Sequence, residues 1–243
     1  MPAAGSTCKK DISNGACRPL IAHRGASALC PENTLAAIDR AKTEGCNWVE
    51  VYAQVLSDGA VILMHDHDLD RTTDGFGPVG KQELPYIRGL RTRDPVTAAP
   101  TEHRVPLLSD VLDCCAAKSL GLVLEIKATW GVDAEDAAKV AALLPLEPKF
   151  PLVVTSFSVT ALQTMASLRP DVALGLAALR PPVDPAAARD RLKLSAIHCN
   201  AQWTTRDDIS RMTAAGLDIA IATINDAKRA RDFLALGAHG IMT

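Results

Sequence analysis

A chain of 243 residues, 48% of them apolar, is long enough to bury one large core or two small ones. A formal net charge of −2 leaves no basic footprint for nucleic acid or an anionic membrane, and no apolar stretch approaches the roughly 20 residues of a membrane span, so a small-molecule partner is favoured. Seven cysteines without Cys-x-x-Cys spacing suit reduced thiols in a cytoplasmic compartment better than a disulfide or zinc framework.

Residues 1–18 contain Lys9, Lys10 and Asp11 but no hydrophobic core of a secretory signal. They are expected to be a poorly ordered lead-in to one domain over residues 19–243. The run Leu20-Ile21-Ala22 stops abruptly at His23-Arg24-Gly25, the pattern of a buried strand delivering ionisable side chains to its exposed end. Pro31-Glu32-Asn33-Thr34 follows, with Asn33 expected to cap a helix that carries Leu35 and Ile38 and stops at Gly45. Residues 48–55 alternate in strand fashion, Asp58-Gly59 signals a turn, and the next strand, residues 61–64, comes too soon for a crossover helix. A hairpin centred near Asp58 would bring Glu50 roughly opposite His65-Asp66. Gly and Pro then interrupt residues 67–106 too often for long elements, so this stretch is expected to be an inserted loop or small subdomain at the active face.

Thereafter strand and helix alternate. Leu107, Leu108, Val111, Leu112 and Cys115 share a helical face, and the strand over residues 122–127 ends in Glu125-Ile126-Lys127. An Ala-rich helix over about residues 134–144 ends at Pro145, Ser158 can cap the next, and further helices follow Asp184, Thr205 and Asn225. Strands are expected over residues 152–155, 172–176, 196–199, 217–223 and 240–242. The pattern argues for a parallel α/β barrel of the TIM type, (β/α)8, rather than an open sheet. Nine strands are one more than a closed barrel needs, and the hairpin is where the surplus should sit. Three core strands ending in His23-Arg24, His65-Asp66 and Glu125-Ile126-Lys127 suggest one site assembled at their carboxyl ends.

His23-Arg24-Gly25, Pro31-Glu32-Asn33-Thr34, His65-Asp66 with Arg71-Thr72-Thr73, and Leu124-Glu125-Ile126-Lys127, in this order, resemble the glycerophosphodiester phosphodiesterase family over roughly residues 19–243. The resemblance implies metal-dependent hydrolysis of glycerophosphodiesters to sn-glycerol 3-phosphate and an alcohol, and an insertion at about residues 67–106. It also implies acid/base roles for His23 and His65, without deciding which is which. Glu50 and Glu125 facing an anionic diester would be repulsive without a cation between them, so a divalent metal is implied, and carboxylate oxygens suit Mg²⁺ or Ca²⁺. Arg24 can clamp phosphate oxygens through its fork and Lys127 can add a point charge.

Two departures from the family pattern stand out. Its Glu-x-Asp strand here reads Glu50-Val51-Tyr52, a neutral phenol in place of a metal-binding acid, so the cation is held weakly, another acid such as Asp66 or Glu32 moves in, or the chain is a weak or inactive relative acting as a binding protein. Near the end, Ala222 precedes Thr223-Ile224-Asn225 where the family often carries an aromatic residue. A competing enzymatic reading takes His65-Asp66-His67 as the His-x-His metal pair of a barrel amidohydrolase. His198, Cys199 and Trp203 can line a substrate cavity, although core packing is the default account of Cys199 and of Cys114-Cys115. Asp74-Gly75-Phe76-Gly77 resembles a phosphate loop only superficially, because no helix follows.

Overall fold

The computed structural model describes residues 19–129 and 131–243, so the expected lead-in lies outside the described residues. In chain order the elements are β1 (Leu20–His23), α1 (Leu35–Thr43), β2 (Trp48–Val55), β3 (Val61–Leu63), a 3-10 turn (Val79–Lys81), α2 (Leu84–Gly89), α3 (Leu108–Lys118), β4 (Gly121–Ile126) and α4 (Asp133–Leu143). They continue with β5 (Leu152–Ser156), α5 (Val159–Leu168), β6 (Ala173–Ala178), α6 (Pro185–Leu192), β7 (Ala196–Asn200), α7 (Arg206–Ala214), β8 (Asp218–Ala222), α8 (Ala227–Leu236) and β9 (Gly240–Met242). Eight of the strands are parallel and close into a TIM barrel, β1-β2-β4-β5-β6-β7-β8-β9, with β9 returning to β1.

The surplus strand is β3. It folds back antiparallel on β2 with Ala53 opposite Leu63 and Val55 opposite Val61, while β1 pairs with the earlier residues Trp48 to Glu50 of the same strand. Asp58 holds the turn by accepting from the Ala60 amide, and Gly59 supplies the positive φ that the turn requires. The Tyr52 carbonyl accepts from the Met64 amide at 2.8 Å, carrying the hairpin pairing one residue past β3.

Period-two alternation divides each barrel strand between two environments. Ile21, Trp48, Val123, Val153, Ala196, Ala220 and Met242 fill the inside, while Val49, Val51, Leu122, Leu124, Ile197 and Ile219 face outward against helix residues such as Ile38, Leu112, Leu162 and Met212. Fully burying each such aliphatic side chain stabilises the fold by about 1.5–3 kcal/mol. The inner layer is tight around Trp48: a Cβ on Gly121 would lie 2.3 Å from the indole, so only glycine fits at the start of β4. The same parity turns His23, Glu50, Tyr52, Glu125, Thr155 and His198 into the barrel just above this layer.

Between Met64 and Leu107 the elements are short, α2 being six residues long. Leu56, Ile62, Leu69, Val79, Ile87 and Leu90 give this stretch a small core of its own beside β3. One expected cap is displaced: Thr34, not Asn33, caps α1 by accepting from the Ala37 amide, and Asn33 sits at φ 57° with its side chain turned toward β2. Ser158, Asp184 and Thr205 cap their helices as expected. The five cysteines among the described residues are free thiols. No helix among the described residues is long and apolar enough to cross a membrane.

Candidate active site

His23 closes β1, and the chain then turns sharply because Arg24 and Gly25 both adopt positive φ, 62° and 76°. Gly25 is required here, since a Cβ would come within 2.7 Å of Ala37 in α1. The turn presents the Arg24 side chain beside the barrel mouth, where Nη1 donates to Glu32 Oε1 at 3.0 Å. On β2, the Tyr52 hydroxyl donates to Glu50 Oε2 at 2.8 Å and lies 2.9 Å from His23 Nε2. Asn33 Oδ1 fixes the same strand by accepting from the Tyr52 amide.

His65 follows β3 and packs edge-on against the Tyr52 ring, 4.6 Å between centroids; His23 meets the same ring at 6.0 Å. Two cations complete the ring's surroundings, the Arg24 guanidinium 5.5 Å and the Lys127 ammonium 5.1 Å from its centroid. Lys127 Nζ is also 3.6 Å from Glu125 Oε1. The structure therefore brings together all six side chains singled out in the sequence, His23, Arg24, Glu50, His65, Glu125 and Lys127, with Tyr52 at their centre.

Sequence reasoning gave no role to several residues that hold this arrangement. The Gln54 carboxamide donates to the carbonyls of Met64 and Asp66, pinning the peptide that carries His65. Arg71 reaches Asp66 and Glu32 together, with bonds of 2.5 and 3.0 Å to the first and 2.8 and 2.9 Å to the second. Asp66 in turn accepts from or faces His65 Nδ1 at 2.7 Å. Arg71 lay inside the Arg71-Thr72-Thr73 motif, but its partners are 5 and 39 residues away, a pairing that spacing alone cannot reveal. Asp66 and Glu32, the acids that the sequence offers in place of one at position 52, are both engaged by Arg71 in this structure. His67 is exposed and, among the described residues, groups with no other metal-binding side chains, so the His-x-His pair is not presented to the barrel interior.

Burial dominates the electrostatics. His23 is pushed down to about 4 by burial and then by Arg24, so it is neutral near pH 7. His65 is also lowered by burial, against the upward pull of Asp66, whose own carboxyl is held far below its usual range by Arg71. Glu50 is raised by burial and by the charge of Glu125, and Glu125 is raised by burial against the pull of Lys127. Tyr52 is driven above its ordinary range by burial and by Glu50, and stays a neutral donor.

Two buried carboxyls, one raised by the charge of the other, are a natural seat for a cation, and Glu125 Oε1 is buried with no hydrogen-bond partner among the described residues, Lys127 standing 3.6 Å away. However, no group of three or more His, Cys, Asp or Glu side chains among the described residues could hold a metal by itself. One lone pair of Glu50 is occupied by the phenol. The donor set therefore fits a hard cation that takes one or two carboxylates and completes its shell with substrate phosphate, as Mg²⁺ commonly does, and does not fit a closed protein cage.

A cavity of about 100 Å³ opens beside Glu50, Tyr52 and Glu125 and extends to His198, Ala177 and Thr223. A larger one, about 720 Å³, lies at the opposite, amino-terminal ends of β5 and β6, beside Phe150, Leu152 and Val172 and away from the ionisable cluster. In a parallel barrel the carboxyl ends carry the chemistry, so the smaller cavity is the functional one.

Comparison with known proteins agrees with this geometry. A glycerophosphodiester phosphodiesterase of Caldanaerobacter subterraneus subsp. tengcongensis is 28% identical over 224 residues, covering 82% of this chain and 91% of that protein. Among solved structures, an Oleispira antarctica phosphodiesterase in complex with the product sn-glycerol-3-phosphate superposes with a TM-score of 0.87 at 29% identity, over 92% of each chain. A glycerophosphodiester phosphodiesterase of Agrobacterium tumefaciens gives 0.77 at 26% identity, over 93% of this chain and 96% of the other. The model of the glycerophosphoryl diester phosphodiesterase family matches residues 23–243. The chain belongs to that family of enzymes.

Proposed function

We propose that this enzyme hydrolyses glycerophosphodiesters to sn-glycerol 3-phosphate and an alcohol, using His23 and His65 as the proton-transferring pair. The observation that carries the reading is the placement of both imidazoles, Arg24 and Lys127 around one phenol ring. A phosphodiester seated there meets two cations for its non-bridging oxygens and an imidazole on either side.

Asp66 accepts Nδ1–H of His65, which leaves Nε2 as the acceptor and stabilises the imidazolium that forms. His65 is therefore the base that takes the proton of the attacking oxygen. The new bond to phosphorus forms as the bond to the alcohol oxygen breaks. The bound anion raises the pKa of His23, which can then carry the proton that the departing alkoxide takes up. Arg24 and Lys127 hold the phosphate. Glu50 and Glu125 are the residues that would hold Mg²⁺ or Ca²⁺, which when bound supplies charge neutralisation at phosphorus.

Tyr52 makes cation binding weak in the absence of substrate, which favours a site loaded by the cation and the phosphate together. The partner is a small molecule and not nucleic acid, and the free thiols suit a cytoplasmic setting. A hydrolysis assay on glycerophosphocholine with added Mg²⁺ or Ca²⁺ tests the reading. Release of glycerol phosphate supports it, and folded protein that yields none with either cation refutes it.

A further inference from the structure

His198 lies on β7, one strand short of the barrel's closing strands and facing its interior, and it is 5% exposed. Neither ring nitrogen has a hydrogen-bond partner among the described residues. The side chain borders the cavity of about 100 Å³ that also touches Glu50, Tyr52 and Glu125. Its register partners on β6 and β8 are the small residues Ala177 and Ala220, with Gly175 and Ala222 the next inward positions, so the barrel wall beside the imidazole is narrow. Leaving a buried donor and acceptor unpaired costs about 1–3 kcal/mol each, which a purely structural position on a barrel wall would avoid with an aliphatic side chain.

We propose that His198 is a specificity-determining residue, reading a hydroxyl of the glycerol moiety from inside the barrel while the phosphate is held above by Arg24 and Lys127. The proposal rests on the phosphodiesterase reading and adds to it the direction in which the glycerol enters. The chemistry of the pair selects the ligand. A neutral imidazole offers one donor and one acceptor, and a hydroxyl offers the complementary acceptor and donor. The quaternary ammonium of a choline head group offers neither. Thr155, buried on β5 with its hydroxyl unpartnered and paired in register with Glu125, extends the same polar wall.

The test is calorimetric titration of the enzyme, in excess Mg²⁺, with sn-glycerol 3-phosphate and separately with inorganic phosphate. The wild type is expected to bind sn-glycerol 3-phosphate at least about 10-fold more tightly than phosphate, the value of one good buried hydrogen bond. In His198→Phe that ratio falls to about one, and in His198→Gln, which keeps a donor and an acceptor, part of it survives. An unchanged ratio in His198→Phe, or equal loss in Phe and Gln variants, overturns the role of His198. A wild type that binds phosphate with no glycerol increment also overturns it and leaves the phosphodiesterase reading intact. A wild type that binds neither probe sinks the phosphodiesterase reading itself.

Discussion

The Tyr52 hydroxyl stands 2.9 Å from Nε2 of His23. Because the same hydroxyl donates its single hydrogen to Glu50, His23 must present an N–H to it, and Tyr52 sets the tautomer of the imidazole. Tyr52→Asp should therefore strengthen cation binding beside Glu50. Direct titration with Mn²⁺ as a spectroscopic stand-in should show affinity rising by about 10–100-fold, the size of effect seen when a metal site's supporting contacts change. No gain in affinity would mean that Glu50 and Glu125 are not the cation's seat.

Asp66 orients His65, so Asp66→Asn should lower kcat by about 10²-fold while leaving KM for glycerophosphocholine within a few-fold. The sign of the pH effect follows from the same contact. A base is lost on protonation, so kcat/KM falls as pH drops through the His65 pKa, which lies below its ordinary 6.5. Asp66 pulls that pKa upward, and its removal should move the acid limb to still lower pH. A limb that moved upward or stayed in place in a pH-rate profile would assign the base elsewhere.

Arg71 ties Glu32 to Asp66 but is half exposed, so its contribution to stability is small, about 0–1 kcal/mol after solvent screening. Its contribution to activity is larger, because it fixes the acids behind both Arg24 and His65. Arg71→Met should leave the urea midpoint nearly unchanged while lowering kcat/KM by at least about 10-fold. A large fall in the midpoint with unchanged activity would make the network structural.

His198 is held down to about 4 by burial, from an ordinary 6.5. A base with a depressed native pKa is protonated first in the unfolded chain, so its contribution to stability is complete above about pH 6.5 and is lost as pH falls toward 4. The full loss is roughly 3 kcal/mol, and His23 acts in the same direction. Urea unfolding at pH 7 and pH 5 should show a smaller difference in His198→Phe than in the wild type. Equal differences would place the acid sensitivity in other groups.

Gly121→Ala tests the packing inside the barrel. The added methyl meets the Trp48 indole at 2.3 Å against a backbone fixed by two neighbouring strands, so overpacking should cost about 1–3 kcal/mol. An unchanged thermal midpoint would show that Trp48 can move aside.

The barrel was legible in the sequence because period-two strands, separated by capped amphipathic helices, leave few topologies open, and the extra strand could be assigned to the hairpin from the closeness of residues 48–55 and 61–64. His23, Arg24, His65, Glu125 and Lys127 were legible because each stands at or just beyond the end of a strand, and Glu50 because strand alternation puts it on an inward face of β2. What spacing did not reveal depends on long-range pairing. Asn33 looked like a cap, and only the neighbouring β2 shows that its side chain serves the Tyr52 amide. Arg71 and Gln54 act through partners brought close by the hairpin, and the unpaired nitrogens of His198 exist only once the barrel has closed around them.

The most direct test of the account is the rate of glycerophosphocholine hydrolysis in Mg²⁺ or Ca²⁺ by the wild type, His23→Gln and His65→Gln. The account predicts measurable turnover by the wild type and a loss of about 10²–10⁴-fold in each variant, the range expected when a proton-transfer partner is removed. Turnover that survives either substitution at near wild-type rate would contradict it.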